Sequence, residues 1–253
     1  MSTFKKIGII GAGNVAFHLG ELLLEERFQL TSIYSRTKDK ADRLAERWHI
    51  ESLSNWKDFK CDLILLCIHD DEIDSFLKQY DLNIPIAFTA GNVPLMNYPI
   101  RHYGVFYPLQ TLTENRTVTK NFPIIIEGNS KEMEHDLMDL AKKLSLKVDY
   151  ATSVQRSQYH LAAVVMNNFI NHLIYLSKQN LTEKGLHPQF LDALLQETFE
   201  KIKTISPFEA QTGPAKRGDL STIQKHVTML DSPLKEIYQE ITQSILNTYH
   251  EKL

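Results

Sequence analysis

The stretch Gly11-Ala12-Gly13-Asn14-Val15-Ala16 follows directly on an apolar run, Ile7-Gly8-Ile9-Ile10. It matches the Gly-x-Gly-x-x-Gly/Ala turn that joins a strand to a helix and cradles a pyrophosphate. The first glycine permits the tight turn, the second lets the backbone approach the phosphates, and the alanine keeps the helix close to the strand. The helix start offers free N–H groups and a partial positive charge to the anion. This context favours a dinucleotide-binding turn over an ordinary glycine-rich turn, and the predicted cofactor contacts are Gly11, Gly13, Asn14, Val15 and Ala16.

The second predicted strand, 30–34, ends in Ser35-Arg36-Thr37-Lys38. A site for NAD usually carries Asp or Glu at this tip, where the carboxylate binds the ribose 2′-hydroxyl. No carboxylate stands here, and a guanidinium suits the dianionic 2′-phosphate of NADP through its planar pair of donors. The tip therefore favours NADP(H), with Ser35, Arg36 and Thr37 as predicted contacts. The alternative is a solvated basic turn.

The composition excludes several classes of function. The chain has 253 residues and a net charge of −3 at pH 7, which gives no basic surplus for nucleic acid or membrane surfaces. The two cysteines match no metal-ligand spacing, so we expect no metal site and a reduced compartment. The chain enters its first strand at once, without room for a signal peptide, and its apolar runs are too short to span a bilayer. We expect a cytoplasmic protein that acts on a small molecule.

Apolar runs alternate with amphipathic segments over residues 1–150. Several runs are almost continuous, as is typical of parallel strands that are covered on both faces. The alternation predicts an α/β fold with a Rossmann-type, doubly wound, mostly parallel sheet. The predicted strands are 7–10, 30–34, 63–67, 84–88, 103–107, 123–127 and 146–150, and the predicted helices between them are 15–26, 38–48, 71–79 and 131–144.

After residue 150 the sequence pattern predicts helices alone. We therefore predict an NADP-binding domain over 1–150 and an all-helical substrate and dimerisation domain over 151–253. The apolar side chains of the long helix at 159–179 need more surrounding protein to bury them than a domain of about 100 residues provides. This predicts a homodimer through this domain. The other predicted helices are 188–204, one that begins at a Ser206 capping box, 220–230 behind an Asp219 cap, and 234–249.

Ligands of an open α/β sheet lie beyond the carboxyl ends of its strands, and Ile68-His69-Asp70-Asp71 follows one such end. Histidine is the side chain that most often serves as a general acid or base, which makes His69 a candidate for that role. We favour the other interpretation, in which Ile68 and His69 contact the cofactor through the backbone while Asp70 or Asp71 caps the next helix.

Two further strand ends face the same predicted crevice. Thr89, in Thr89-Ala90-Gly91-Asn92, either brings backbone close to the nicotinamide or belongs to an ordinary turn, and both interpretations stay open. The strand at 103–107 runs into Tyr107-Pro108-Leu109-Gln110-Thr111. Tyr-Pro can simply end a strand. We favour function here, with Tyr107 as a catalytic residue and Gln110 as a substrate contact.

The long helix carries a polar stripe. At 3.6 residues per turn, His160, Asn167 and Asn171 fall in one line on an otherwise apolar helix. Such groups need hydrogen-bond partners, either in a substrate or at a domain or dimer interface. The candidate catalytic residues are His160 and Asn167, and Asn171 is a candidate substrate contact. Arg217, in Gly213-Pro214-Ala215-Lys216-Arg217-Gly218-Asp219, is the candidate anchor for an anionic substrate, or else a partner in an ion pair.

These motifs together resemble a known bacterial family over essentially the whole chain. The glycine turn is followed in order by Tyr107-Pro108-Leu109-Gln110-Thr111, by His160-Leu161-Ala162-Ala163-Val164, and by the loop that contains Arg217. The family has a Rossmann-like N-terminal half and a C-terminal helical domain of unknown function, DUF 2520. It is similar in architecture to pyrroline-5-carboxylate reductase and to the 6-phosphogluconate and β-hydroxyacid dehydrogenases.

The resemblance implies an NADP-dependent oxidoreductase with a helical domain like the C-terminal domain of 6-phosphogluconate dehydrogenase. Many members have His where this chain has Tyr107, and the β-hydroxyacid dehydrogenases have a catalytic Lys near the place of His160. The implied reaction is hydride transfer between NADP(H) and a small anionic keto, imino or hydroxy compound. The alternative is a non-catalytic NADP-binding sensor or scaffold.

Overall fold

The computed structural model of the protein describes residues 3–114, 116 and 121–250. Internal contacts divide the chain into two compact units, Met1–Val165 and Met166–Leu253. The division falls within the long helical segment that begins at Ser153. The domain boundary at residue 150, which rests on where the strand pattern stops, stays a prediction.

The first unit is built on one sheet, in which the described part of the chain contributes eight strands in the order β3-β2-β1-β4-β5-β6-β7-β8. Neighbouring strands are parallel except β6 and β7, which are antiparallel. The order reverses between β1 and β4, as in a Rossmann fold, and this confirms the predicted fold class. The strands are β1 (Lys6–Ile10), β2 (Gln29–Tyr34), β3 (Glu51–Ser52), β4 (Leu63–Leu66), β5 (Ile86–Phe88), β6 (Tyr103–Pro108), β7 (Ile124–Gly128) and β8 (Val148–Tyr150).

Both faces of the sheet are covered, and the central strand β4 shows how alternate side chains reach the two layers. Leu63 and Leu65 belong to one buried apolar cluster, whereas Ile64 and Leu66, which point the other way, belong to the second. A strand that is apolar at every position can satisfy this arrangement, because alternate side chains enter opposite layers. The helices of the first unit are α1 (Asn14–Glu25), α2 (Lys38–Trp48), α3 (Asp70–Gln79), α4 (Lys131–Leu144) and α5 (Ser153–Ala163).

The regular secondary structure of the second unit is helical in its described residues. Two predicted helix starts are confirmed: the Ser206 hydroxyl accepts a hydrogen bond from the Glu209 N–H in a capping box, and Asp219 accepts one from the Thr222 N–H. No described helix is both long enough and apolar enough to cross a membrane. The helices are α6 (Ile170–Glu183), α7 (Asp192–Lys201), α8 (Pro207–Ala210), α9 (Pro214–Arg217), α10 (Leu220–Met229) and α11 (Leu234–His250).

The long helix departs from its prediction in two ways. It begins at Ser153, behind a Thr152 capping box, rather than at residue 159. A π-helical turn, Val164–Phe169, then separates α5 from α6. Because a π turn closes i→i+5 bonds, it interrupts the 3.6-residue repeat. The prediction that His160, Asn167 and Asn171 fall in one line, which assumed an unbroken α-helix, is therefore wrong.

Candidate functional site

A cavity of about 550 Å³ lies at the carboxyl ends of β1, β2, β4 and β5. The strand order reverses between β1 and β4, and open α/β sheets bind their ligands beyond the carboxyl ends of the strands at such a reversal. Its volume is within the usual range for small-molecule sites. The cavity lies entirely within the first unit.

The cavity brings together all but one of the predicted cofactor contacts. Ala16 is the exception, because its methyl group is fully buried in the core beneath the glycine turn. That small buried side chain lets α1 lie close to the sheet. The predicted contacts that line the cavity are Gly11, Gly13, Asn14, Val15, Ser35, Arg36, Thr37, Ile68, His69 and Thr89.

The two glycines of the turn are needed for different reasons. Gly11 has a φ of 108°, and a Cβ built there would lie 2.0 Å from the carbonyl oxygen of Cys67. Gly13 lines the cavity, and a Cβ built there would meet no protein atom within 4 Å. Gly11 therefore serves the fold, whereas the missing side chain of Gly13 leaves space that a ligand can use. The first-turn N–H groups of α1 have no carbonyl partners within the helix, so the turn suits a phosphate.

The Arg36 end of the cavity contains a carboxylate that the sequence did not indicate. The Arg36 guanidinium donates to Glu72, which the fold brings over from α3. The Arg36 side chain is 72% exposed and that of Glu72 is 31% exposed, so the pair is open to solvent. Trp56 and Phe76 form an aromatic wall in the same part of the cavity. A phosphate that reached Arg36 would have to compete with Glu72.

The loop after β4 differs from the prediction in its helix cap. His69 occupies the position before the first helical residue of α3, without a capping side-chain hydrogen bond. Asp70 and Asp71 lie in the first turn, so the prediction that one of them caps the helix is wrong. Their charges are still favourable there, because the helix N-terminus carries a partial positive charge.

Tyr107 and His160 meet beside the loop that follows β5. The Tyr107 hydroxyl lies 3.3 Å from His160 Nδ1, and both residues belong to the first unit. A Cβ on Gly91 would lie 2.6 Å from Tyr107 Cζ and 2.8 Å from His160 Nδ1, so only glycine fits against this pair. Burial, and to a lesser extent the Asp70 charge, raises the pKa of Tyr107. The phenol therefore remains protonated at neutral pH and can donate a proton.

The remaining predicted residues are exposed. Gln110 turns back on its own loop, where its side-chain oxygen accepts the Thr111 N–H at 2.8 Å. In the second unit, Asn167 lies in the π turn and Asn171 in the first turn of α6. Arg217 ends α9 and forms no ion pair with the described residues. The pKa of Asp219 is lowered mainly by the hydrogen bonds from Thr222 and Ser221, and the Arg217 charge adds to this effect.

Arg156 is a residue that the motifs did not single out. It is the largest fully buried side chain of the described residues, and it donates to three carbonyls of the loop after β5. Its ion-pair partner is Glu127 of β7. The sequence carries no signal for this role, because a charged residue near a helix start is ordinarily a surface residue.

Two family models match separate parts of the sequence. The family described as "NADP oxidoreductase coenzyme F420-dependent" matches residues 6–85, and the domain of unknown function DUF2520 matches residues 122–245. A comparison with curated proteins finds no match.

Solved structures extend these matches to almost the whole chain. BF3122 from Bacteroides fragilis, named as a candidate NADP oxidoreductase, is 33% identical, with a TM-score of 0.88 over 96% of this chain and 98% of its own. A 1-pyrroline-5-carboxylate reductase from Streptococcus pyogenes is 16% identical, with a TM-score of 0.65 over 97% and 98% of the two chains. A reductive aminase from Aspergillus terreus, in complex with NADPH and ethyl levulinate, is 12% identical, with a TM-score of 0.72 over 97% and 95%. The last two show the fold alone, and together the matches confirm the resemblance drawn from the motifs.

Proposed function

The chain belongs to the family of NADP oxidoreductase-like proteins that carry the DUF2520 domain, and from this premise we propose that it is an NADP-dependent reductase or dehydrogenase. It binds NADP(H) in the cavity of the first unit and transfers a hydride to or from a small keto, imino or hydroxy compound. The observation that carries the proposal is the convergence of the predicted cofactor contacts on one cavity of about 550 Å³.

The cavity supports one orientation of the cofactor. The pyrophosphate lies against the glycine turn, where the open space at Gly13 and the start of α1 can receive it. The 2′-phosphate lies at the β2 tip, where Arg36 exchanges its Glu72 partner for the phosphate. The nicotinamide then lies on the other side of the turn, towards Thr89 and Ala90 at the β5 tip.

Proton transfer falls to Tyr107 and His160, which lie beside the β5 tip. Bound NADPH supplies the hydride that forms the new C–H bond at a C=O or C=N carbon. Tyr107, kept protonated by its raised pKa, donates a proton to the substrate oxygen or nitrogen. His160, 3.3 Å away, returns a proton to the phenolate and takes its own from solvent.

The proposed substrate class follows the chemistry of two structural relatives. The names of the two distant structural relatives refer to an imine carboxylate and to a keto ester, and both compounds contain a C=N or C=O group. Gln110, Asn167, Asn171 and Arg217 stay predictions from the sequence, and Arg217 forms no ion pair with the described residues. Asn167 stands in a π turn, a feature found frequently at functional sites.

We also propose that the helical domain forms a homodimer. Among the described residues of the second unit, only Leu176 and Ala215 are buried apolar side chains. Large apolar side chains stay exposed instead, including Phe190 at 83% and Met166 at 71%. So little burial cannot hold a helical domain in one conformation, and a second copy of the same chain is the commonest cover.

The first test is a fluorescence titration with NADPH and NADH. We expect NADPH to bind more tightly, and Arg36→Ala to cost about 1.5–3 kcal/mol of NADPH binding, roughly a tenfold to hundredfold loss of affinity. Its NADH affinity should stay unchanged, because NADH carries no 2′-phosphate. Arg101→Ala is the control. Arg101 is also exposed, but it precedes β6 and therefore lies at the amino ends of the parallel strands, opposite the cavity. Failure to bind either nucleotide would overturn the proposal.

Catalysis needs a separate assay. The oxidation of NADPH is followed with a panel of keto acids and cyclic imines, and the reduction of NADP+ with hydroxy acids. Turnover with any of these compounds supports the reductase. Tight NADPH binding without turnover across the panel favours the sensor or scaffold.

A further inference from the structure

The Arg156 guanidinium holds one loop of the crevice by its backbone. From α5 its Nη1 donates to the carbonyl oxygens of Ala90, Gly91 and Val93, at 3.2, 2.9 and 2.8 Å. An arginine stays protonated at any pH a protein experiences, so these bonds are always available. The carbonyls are consecutive or nearly so, and a single side chain therefore fixes the path of the loop after β5.

The second terminal nitrogen of the guanidinium, Nη2, is fixed just as firmly. Nη2 donates to Glu127 Oε2 at 2.8 Å, and the Ser153 N–H donates to Oε1 of the same carboxylate at 2.8 Å. The Ser153 hydroxyl in turn accepts the Leu95 N–H at 2.8 Å. Burying such a pair costs much of what the attraction returns, so a buried ion pair is a poor source of stability. The ion pair matters more for the position in which it holds the loop than for the stability of the fold.

The loop that Arg156 holds belongs to the reacting end of the crevice. Thr89 and Ala90 line the cavity, and Gly91 presses against Tyr107 and His160 so closely that no Cβ would fit. A displacement of this loop would change the cavity wall at the β5 tip and would release the tyrosine and histidine from their shared contact. The Arg36 end of the cavity, built on β2 and α3, would stay as it is.

We infer that Arg156 is a positioning residue that sets the nicotinamide end of the cofactor site through the carbonyls of residues 90–93. The inference rests on the proposed binding of NADP(H). It predicts that the two ends of the cavity respond differently to changes at residue 156, since Arg156 holds only one of them.

The test compares two ligands on the full-length protein. NADPH reaches both ends of the cavity, whereas adenosine 2′,5′-bisphosphate, the adenosine half of NADP with one of the two bridging phosphates, reaches the Arg36 end and the glycine turn but not the β5 tip. Arg156→Lys keeps the positive charge beside Glu127, but a compact ammonium cannot span the carboxylate and three carbonyls. We expect this variant to bind NADPH roughly tenfold more weakly, since small misplacements are costly at a reacting end, and to bind the bisphosphate as the wild type does.

The control is Leu137→Ala, which opens a cavity in the core at α4 and lowers stability without touching the loop. It should lower the melting temperature and leave the NADPH-to-bisphosphate affinity ratio unchanged. The inference would be overturned if Arg156→Lys left the NADPH-to-bisphosphate affinity ratio unchanged, whether it weakened the binding of neither ligand or of both equally. If the wild type bound neither ligand, the proposed function itself would fail, and the two failures are thus distinguishable.

Discussion

Tyr107 is the side chain whose chemistry the structure specifies most closely. Its pKa is raised above the ordinary value of about 10, first by burial and then by the Asp70 charge. A raised tyrosine pKa keeps the acid form populated as pH increases, so a step that needs the phenolic proton fails only at strongly alkaline pH. The partner His160 lies 3.3 Å from the phenol through Nδ1, within reach for passing a proton to it.

Replacing this phenol should slow the chemical step and leave cofactor binding intact. We expect Tyr107→Phe to lower kcat about a hundredfold, within the range for general acids, and to remove the alkaline fall of the wild-type pH profile. Steady-state kinetics across pH, with the NADPH affinity measured alongside, give the answer. Tyr103→Phe removes another buried phenol of β6, whose hydroxyl donates to the Met96 carbonyl, and should keep its activity. An active Tyr107→Phe enzyme would exclude Tyr107 as the acid.

The residues that the sequence could predict are those whose neighbours are local. The glycine turn and the β2 tip are each complete within a few residues, so their pattern is visible in the sequence. Glu72 and Arg156 reach their partners across 36 and 66 residues, and only the folded chain brings them there. The same distance in sequence explains why Arg36 was predicted and its carboxylate partner was not.

At the scale of elements, the apolar runs located the longer strands to within about two residues. β3 has only Glu51 and Ser52, too short and polar to form a run. The π turn was not predicted because the periodicity argument assumes 3.6 residues per turn. One wider turn changes the direction in which every later side chain of the helix points. The Ser206 capping box was predictable because its partners are three residues apart.

The β1–α1 turn allows a paired test of fold against function. In Gly13→Ala the backbone stays in an ordinary conformation, with φ of −95°, and the methyl group enters open space. We expect an unchanged melting temperature and a loss of about 1.4 kcal/mol or more in NADPH binding, about tenfold in affinity. Gly11→Ala meets the Cys67 carbonyl at positive φ and should cost at least about 1–3 kcal/mol in stability. Thermal melts with nucleotide titrations separate the two, and identical behaviour of both variants would contradict this assignment.

For the molecule as a whole, the exposed apolar helices predict that folding and association are linked. The melting temperature of an obligate dimer rises with protein concentration, because dilution favours the separated chains. We expect such a rise, together with a mass in sedimentation of twice the 29.2 kDa chain. Leu146→Glu removes an exposed leucine of the first unit and should leave the dimer intact, whereas Phe190→Glu in the second unit should weaken it. A monomer with a concentration-independent melt would refute the dimer.

The Arg156 contacts also mean that the two ends of the crevice form at different times during synthesis of the chain. The glycine turn, the β2 tip and the loop at 90–93 all leave the ribosome well before the guanidinium that fixes the loop, which is 66 residues further on than Ala90. Closing so long a connection is slow compared with forming a local turn. The nascent chain therefore completes the Arg36 end of the crevice first. The end at the β5 tip acquires its shape only after residue 160 has been synthesised and the helix has folded back onto the sheet.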